Sequence, residues 1–180
     1  MNVVPFSRSY WVVPGKFLAG CYPGSSSEDR ADKKLRALLE HGIRHVISLM
    51  EPDEKDWSGK SFMSYEAQMA SIAESMNHTV NFDTMPIKDT RIPSRPEMCR
   101  ILDRIDQNIQ GQRPVYIHCW GGRGRTGTVV GCYLARHGMA TGQNVLDRIK
   151  ELRRNTEDHW ITSPETLEQF DMVLSWVEGE

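Results

Sequence analysis

The chemistry of this chain is concentrated in one short stretch, HCWGGRGRTG, which occupies residues 118–127. Its cysteine, Cys119, follows an apolar run and is separated from Arg125 by five residues, three of which are glycine. Glycine lets backbone N–H groups approach a ligand closely, because no Cβ stands in the way, and several inward N–H groups form a site for anions. The stretch therefore predicts an anion-binding loop beside a cysteine.

Small and apolar residues continue the stretch and predict a buried helix over residues 126–137. The partial positive charge at the start of that helix would add to the field of the loop amides. A helix N-terminus and neighbouring cations both favour the thiolate form of cysteine, which is the nucleophilic form. We therefore expect Cys119 to act as a nucleophile.

The other side chains of the stretch suit the same chemistry. Arg125 carries a planar guanidinium that can bind two oxygens of a phosphate at once. The hydroxyl of Thr126 is placed to hydrogen-bond the sulfur, and His118 is interpreted as a buried residue that orients the loop rather than as a base. We assign phosphate binding to the residues between the cysteine and the arginine, with the arginine included: Trp120, Gly121, Gly122, Arg123, Gly124 and Arg125.

The order His-Cys, five residues, Arg and then Thr resembles the phosphate-binding loop of the cysteine-based protein tyrosine phosphatase superfamily. Within it the stretch is most similar to the dual-specificity branch, and its glycine spacing is similar to that of kinase-associated phosphatase. The resemblance implies hydrolysis of phosphate monoesters through a phosphocysteine intermediate. It implies phosphotyrosine in proteins as substrate, with phosphoserine and phosphothreonine as further substrates, and neither a metal nor a cofactor.

Such a reaction needs a general acid, because an ester oxygen leaves poorly as an alkoxide. The candidate is Asp89, which lies thirty residues before Cys119. It follows a strand predicted over residues 79–86 that we expect to be adjacent to the strand of Cys119. Dual-specificity families often place the acid in a similar Pro-Ile-x-Asp context. Asp83 is the rival candidate, and a solvated turn aspartate is the alternative interpretation of Asp89.

Strands and helices alternate along the chain, which predicts an α/β fold with a central, mostly parallel sheet of four to five strands flanked by helices. We expect one domain over residues 1–180. In such sheets, ligands bind beyond the carboxyl ends of the strands, which is where the cysteine falls. The predicted strands lie at the start of the chain around a Pro-Gly turn over 11–20 and at 43–49, 79–86 and 115–118, and the helices at 28–40, 64–75, 94–109, 126–137, 141–153 and 163–177.

Two helix starts carry specific signals. Ser94 with Glu97 three residues later predicts a capping box, and Ser163 followed by a proline predicts a cap and first helical position. Relatives in the superfamily place a glutamine near the last helix against the attacking water. Gln169 lies further along than that interval, and we interpret it as a surface or packing residue.

The sequence determines the type of substrate less clearly than it determines the reaction. Phosphatase-and-tensin relatives that act on phosphoinositides carry a lysine where this chain has Arg123, so an inositol phosphate or phosphoinositide remains the alternative to a phosphoprotein. Trp120 stands at the other basic position of those relatives and indicates an apolar or packed rim. We interpret Trp57, in the polar loop over 51–60, as a packing lid rather than a cleft residue. The basic run Arg148, Lys150, Arg153 and Arg154 is interpreted as a solvated helix face.

Two rival classes remain, a phosphate-binding module without turnover and a sulfurtransferase. Cys119, Arg125, Thr126 and Asp89 together argue against a mere binding module, because a binder needs neither a nucleophile nor an acid. His118 before the cysteine and Thr126 after the arginine favour a phosphatase over a sulfurtransferase. The net charge of −2 indicates neither a nucleic-acid nor a membrane partner, and we expect a cytoplasmic monomer. The remaining cysteines show no C-x-x-C pair and are interpreted as small buried hydrophobes, with the question open whether one is a redox resolving thiol: Cys21, Cys99 and Cys132.

Overall fold

A computed structural model describes residues 3–180 of the chain. The described part contains five strands and six helices. In chain order these are β1 (Ser9–Val13), β2 (Phe17–Gly20), α1 (Glu28–Glu40), β3 (His45–Ser48), α2 (Glu66–Ser75), β4 (Asn81–Thr84), α3 (Arg95–Gln110), β5 (Val115–His118), α4 (Gly124–Arg136), α5 (Gln143–Arg153) and α6 (Leu167–Leu174).

The strands form one sheet in the order β1-β2-β5-β3-β4. Only β1 and β2 are antiparallel, and the other three pairs are parallel. At the carboxyl end of β5, His118 pairs with Gly20 of β2 on one side and with Ser48 of β3 on the other. The mostly parallel sheet is therefore confirmed, and the residue after His118 emerges at the centre of its carboxyl edge.

Helices cover both faces of the sheet. The apolar stripe of α1, with Leu35 and Leu38, packs with α2 against one face, and α3 to α6 pack against the other. Side chains of β5 alternate between the two cores, since Tyr116 belongs to the α1 side while Ile117 belongs to the α4 side. All four residues of β5 are buried. The candidate nucleophile thus follows a fully buried central strand of the sheet.

Two helix starts differ in outcome. The predicted capping box of α3 is present, because Ser94 accepts a hydrogen bond from the Glu97 backbone N–H and the Glu97 side chain accepts one from Ser94. The predicted start of the last helix at Ser163 is wrong. The helix begins at Leu167 and is capped by Thr166 with Gln169, whereas the hydroxyl of Ser163 donates to a backbone carbonyl in the loop before α4.

Candidate active site

Residues 119–125, which we call the phosphate loop, connect β5 to α4. The helix begins at Gly124, two residues earlier than predicted, so Arg125 and Thr126 lie in its first turn. The backbone N–H of Gly122 donates to the sulfur of Cys119 at 3.3 Å, and the hydroxyl of Thr126 donates to it at 3.1 Å. Both donors stabilise negative charge on that sulfur. The predicted contact between Thr126 and the sulfur is therefore present.

The loop passes directly over the end of β2. Gly122 has a φ of +75°, and a Cβ at this position would lie 2.5 Å from the carbonyl carbon of Gly20. Only glycine combines this conformation with so close an approach. The backbone N–H of Tyr22 also donates to the carbonyl of Trp120 at 3.0 Å. The chain segment after β2 thus fixes the position of the start of the phosphate loop.

His118 is fully buried. Its Nδ1 lies 3.2 Å from the carbonyl oxygen of Cys119, and its Nε2 lies 2.6 Å from the hydroxyl of Tyr65. Because a carbonyl can only accept, Nδ1 carries the proton and the Tyr65 hydroxyl donates to Nε2. Burial lowers the pKa of His118 to about 3 against the opposing effect of the Cys119 carbonyl, and Arg125 lowers it further. The neutral ring is placed to orient the loop, as the sequence predicts.

Arg125 makes a bidentate ion pair with Glu54, a residue that the sequence analysis missed. Nη1 donates to Oε2 at 2.6 Å and Nη2 to Oε1 at 2.8 Å, and the side chain of Arg125 is only 1% exposed. Burial by itself would lower the pKa of Arg125, but the hydrogen bonds and negative charges of Glu54, Cys119 and Asp89 raise it. The guanidinium therefore stays charged although it is buried.

Asp89 also reaches Arg125, with its Oδ1 2.9 Å from Nη2. We expected the strand before Asp89 to be adjacent to the strand of Cys119. That prediction is wrong, because β3 lies between β4 and β5. After β4 the chain extends along β3, where Met85 donates to Ser48 and Ile87 donates to Leu49 through their backbone N–H groups. The Asp89 side chain is 49% exposed. It therefore lies between the guanidinium and solvent.

The rival acid, Asp83, lies elsewhere. Its Oδ2 is 2.7 Å from Nε2 of His45 and 3.3 Å from Nε of Arg104. Both partners lie outside the phosphate loop, so Asp83 belongs to a structural ion-pair cluster. Of the two candidates, Asp89 is the one that lies beside the loop arginine.

Arg123 is paired with two carboxylates. Its Nε donates to Glu165 at 2.9 Å, and its Nη1 lies 3.4 Å from Asp158. Both carboxylates lie between α5 and α6, on residues 154–166, which we call the connector. Two carboxylates therefore balance the charge of Arg123, and its assignment to phosphate binding stays a prediction.

Asp158 joins three arginines. Besides Arg123, it contacts Arg8 at 3.5 Å and Arg153 at 3.2 Å. Arg8 in turn donates to the carbonyl of Gly121 in the phosphate loop at 2.9 Å. Arg153 is buried, so its predicted place on a solvated helix face is wrong. The connector and the segment before β1 therefore support the phosphate loop through contacts separate from that of Glu54.

A family model described as "Swiss Army Knife protein, DSP-PTPase phosphatase domain" matches residues 6–163 of the chain. The chain belongs to this family of dual-specificity phosphatase domains. Dual specificity protein phosphatase CDC14B from Mus musculus is 25% identical over 174 residues, which are 94% of this chain and 32% of that protein. Phosphatidylglycerophosphate phosphatase PTPMT2 from Arabidopsis thaliana is 30% identical over 144 residues, 79% of this chain and 57% of that protein. The domain thus spans about a third to somewhat more than half of these relatives.

Solved structures share the fold. A mutant form of Tk-PTP superposes with a TM-score of 0.66 at 22% identity and covers 92% of this chain and 91% of its own. Kinase associated phosphatase, with serine in place of its catalytic-site cysteine, gives 0.66 at 16% identity over 96% and 94% of the two chains. PTPMT1 in complex with PI(5)P gives 0.65 at 15% identity over 93% of each. These likenesses confirm the predicted dual-specificity phosphatase fold.

The rim of the phosphate loop is aromatic. Trp120, the residue after the nucleophile, is half-buried. Its ring centroid lies 4.9 Å from that of Trp57 and 5.5 Å from that of Phe62. Trp57 is 90% exposed and extends the rim formed by Trp120. Its interpretation as a packing lid rather than a cleft residue stays a prediction.

The other three cysteines lie apart from this rim. Cys21 and Cys132 are buried, and Cys99 is half-buried. Burial raises the pKa of the Cys21 and Cys132 thiols, which favours their protonated, unreactive form. A resolving role for any of the three stays an open prediction. Within residues 3–180, no helix combines the length and the apolar composition that crossing a bilayer requires.

Proposed function

We propose that this domain hydrolyses phosphate monoesters in proteins, phosphotyrosine first and phosphoserine or phosphothreonine in addition. The observation that carries the proposal is the meeting of three groups on one loop. Two hydrogen-bond donors point at the sulfur of Cys119, a buried charged guanidinium follows it at Arg125, and the carboxyl of Asp89 lies against that guanidinium. Transfer of a phosphoryl group to cysteine needs a nucleophile, an anion-binding site and a general acid.

In the first step the Cys119 thiolate attacks phosphorus in line, so that an S–P bond forms as the bond to the ester oxygen breaks. The loop amides and Arg125 stabilise the equatorial oxygens. Nη2 of Arg125 is shared between Glu54 and Asp89. A substrate oxygen competes with the exposed Asp89 for this donor. Once released from the guanidinium, the Asp89 carboxylate takes up a proton from solvent, and the resulting carboxylic acid donates that proton to the leaving oxygen.

In the second step water attacks the phosphocysteine, and Asp89, now ionised, accepts the proton from the water. The S–P bond breaks and returns the thiolate, which the hydroxyl of Thr126 stabilises at 3.1 Å. Glu54 acts as a positioning residue, because its bidentate contact fixes the plane of the Arg125 guanidinium. His118 is a second positioning residue, because its Nδ1–H donates to the carbonyl of Cys119.

A second candidate is a lipid or inositol phosphate. It is favoured by the identity with PTPMT2, which is named a phosphatidylglycerophosphate phosphatase, and by the fold shared with PTPMT1, which was solved with PI(5)P. The pairing of Arg123 with Asp158 and Glu165 speaks against the contact that this residue would supply to a second phosphate. We therefore place phosphoprotein first.

We further propose one catalytic domain that acts as a monomer in the cytoplasm. All five strands lie in one sheet, which supports the single domain. The four cysteines of the chain are unpaired in the structure, and a reducing compartment maintains this state. A reducing compartment would also preserve the nucleophile Cys119.

The test is a substrate panel measured with the wild type and with Cys119→Ser. The panel contains p-nitrophenyl phosphate, phosphotyrosyl and phosphoseryl peptides, phosphatidylglycerophosphate and phosphoinositides. We expect the wild type to hydrolyse phosphotyrosyl peptide, and Cys119→Ser to lose turnover while it still binds tungstate in a calorimeter. Turnover that survives in Cys119→Ser would exclude the mechanism. Tungstate binding by a wild type that hydrolyses none of the panel would indicate a phosphate-binding module.

A further inference from the structure

We propose that Trp57 and Trp120, the tryptophan pair, are specificity-determining residues that bind the ring of phosphotyrosine and favour it over phosphoserine. This inference rests on the proposed phosphatase function and names the substrate class of the same site. The phosphate loop recognises a phosphate whatever its ester. A preference between esters must come from what lies next to the loop.

The mechanism determines the direction of the organic group. In-line displacement places the leaving oxygen opposite the attacking sulfur. Cys119 is 3% exposed and lies at the base of the site, so the organic group points outward across the rim. The first rim residue in the chain is Trp120, which directly follows the cysteine. We therefore expect a group bonded to the phosphate to extend toward this rim and to contact the indole of Trp120.

The tryptophan pair is arranged to receive a flat ring. The two indoles lie at 4.9 Å with their planes at 75°, and Phe62 supports Trp120 from another side at 5.5 Å and 66°. These distances and angles are those at which aromatic rings attract each other edge to face. A third ring entering beside Trp57, which is 90% exposed, would extend the same arrangement and cover apolar surface that solvent now contacts.

Trp57 is fixed relative to the phosphate site. It lies in a hydrogen-bonded turn in which the Asp56 carboxylate accepts from the backbone N–H groups of Ser58 and Lys60, both at 2.9 Å. Three residues before Trp57, Glu54 makes the bidentate contact with Arg125. The same loop therefore binds the guanidinium that binds phosphate and presents the indole that would contact the ring.

The charges around the tryptophan pair favour a neutral ring over an anionic headgroup. Residues 51–60 carry four carboxylates and two lysines, so a second phosphate on the substrate would approach a loop of net negative charge. Arg123, the remaining cation of the phosphate loop, is paired with Asp158 and Glu165. A phenyl ring meets no such repulsion, which is why we choose phosphotyrosine and make a phospholipid an outcome of the test.

The experiment compares two peptides of one sequence that carry either phosphotyrosine or phosphoserine. We measure kcat/KM for the wild type, Trp57→Ala and Trp57→Phe, with Trp160→Ala as control, since Trp160 is also an exposed tryptophan and packs against His159. We expect Trp57→Ala to lower kcat/KM for phosphotyrosine about fivefold, mainly through KM, because one aromatic contact is lost. Phosphoserine should change less than about twofold, and Trp57→Phe should restore most of the loss.

The outcomes separate this inference from the proposed function. An equal loss for both peptides, or no loss, would overturn the role of Trp57 while the phosphatase stands. So would a wild type that prefers phosphatidylglycerophosphate vesicles and loses that preference in Trp57→Ala. If the wild type hydrolyses no monoester, the proposed function fails first. Calorimetric binding of the two peptides to Cys119→Ser, with and without Trp57→Ala, then still decides whether the tryptophan pair distinguishes them.

Discussion

Arg125 and Arg123 lie two residues apart on the same loop, and each is paired with two carboxylates, yet their surroundings differ. The second carboxylate of Arg125 comes from Asp89, which is 49% exposed and contacts it through one oxygen. The carboxylate of Asp158 beside Arg123 is 12% exposed and also contacts Arg8 and Arg153. The other partner of Arg123, Glu165, is 37% exposed. We therefore expect a phosphate to displace Asp89 from Arg125 more readily than Asp158 from Arg123.

The comparison shows that residue type and loop position do not by themselves assign a role. Both arginines satisfy the requirement for a cation at a phosphate loop. The carboxylates that meet them come from opposite sides, from the loops after β3 and β4 for Arg125 and from the connector for Arg123. Breaking an interlocked buried ion pair costs stability, whereas exchanging a partner at the exposed side costs little. We therefore expect mutations at the two arginines to separate activity from stability.

The largest effect is expected at Arg125. Arg125→Lys keeps the charge but loses the planar, bidentate geometry toward both phosphate and Glu54. We expect kcat/KM for p-nitrophenyl phosphate to fall about 10³-fold or more. Arg123→Lys, the matched change two residues earlier, should lower it less than about tenfold. Similar losses in both variants would mean that the two arginines do not differ in role.

The carboxylate beside Arg125 should affect the rate in a different way. Asp89→Asn cannot donate or accept the proton of the leaving group, so we expect kcat to fall about 10²- to 10³-fold. The basic limb of the pH–rate profile should flatten at the same time. Asp83→Asn is the control, because Asp83 contacts His45 and Arg104 instead. An unchanged profile in Asp89→Asn would assign the acid role to another residue.

The carboxylate beside Arg123 should affect stability. Burial alone would raise the pKa of Asp158, but Arg153, Arg8 and Arg123 lower it overall. We expect Asp158→Asn to lower the free energy of unfolding in urea by about 3 kcal/mol, because buried Arg153 loses its carboxylate. Since the folded-state pKa is depressed, the wild type should lose this advantage at acid pH as Asp158 becomes protonated. A variant as stable as the wild type at neutral pH would contradict the interlocked arrangement.

The smallest expected effect is the pH dependence of stability that His118, which contacts the same loop, produces. His118 stays neutral in the folded protein with a pKa of about 3, against 6.5 for an ordinary histidine, so below pH 6.5 the unfolded chain binds the extra proton. Stability should therefore fall as pH falls, by about 2 kcal/mol between pH 7 and pH 5. Burial lowers the pKa of His45 as well, which adds a slope common to all variants.

The histidine prediction is tested by unfolding at both pH values. His118→Asn should remove most of the extra slope, and His78→Asn, at an exposed histidine, should leave it unchanged. If His118→Asn keeps the full slope, the buried ring does not titrate as the structure implies.

The differences between sequence and structure have a common origin in long-range contacts. Glu54 lies 71 residues before Arg125, in a loop where Glu51, Asp53 and Asp56 are equally eligible by sequence. Asp89 was selected as the candidate acid from its local context, but the strand before it, β4, is not adjacent to β5 as we expected. The local sequence predicts that a segment is a strand. The position of that strand in the sheet depends on how the connections between strands cross and pack.

Helix ends show the same division. The capping box of α3 was predicted because both partners lie within one turn. At the start of α6 the sequence predicts Ser163 as the cap, but the Ser163 hydroxyl donates to the carbonyl of Arg123 in the phosphate loop, and Thr166 caps the helix. Gln169 is fully buried rather than at the surface. Its side chain caps α6 and donates to the carbonyl of Arg91, so it is packed inside the domain.

The sequence by itself determined the alternation of strands and helices and the order of chemical groups from His118 to Thr126, because hydrophobic periodicity, helix caps and glycine spacing act within a few residues. Only the tertiary structure decided which carboxylates meet Arg125 and Arg123 and which aromatic side chain lies beside Trp120. Such partners come together when separate loops converge at the carboxyl edge of a sheet. Ion pairs and ring contacts depend on distances of a few ångströms that no local pattern records.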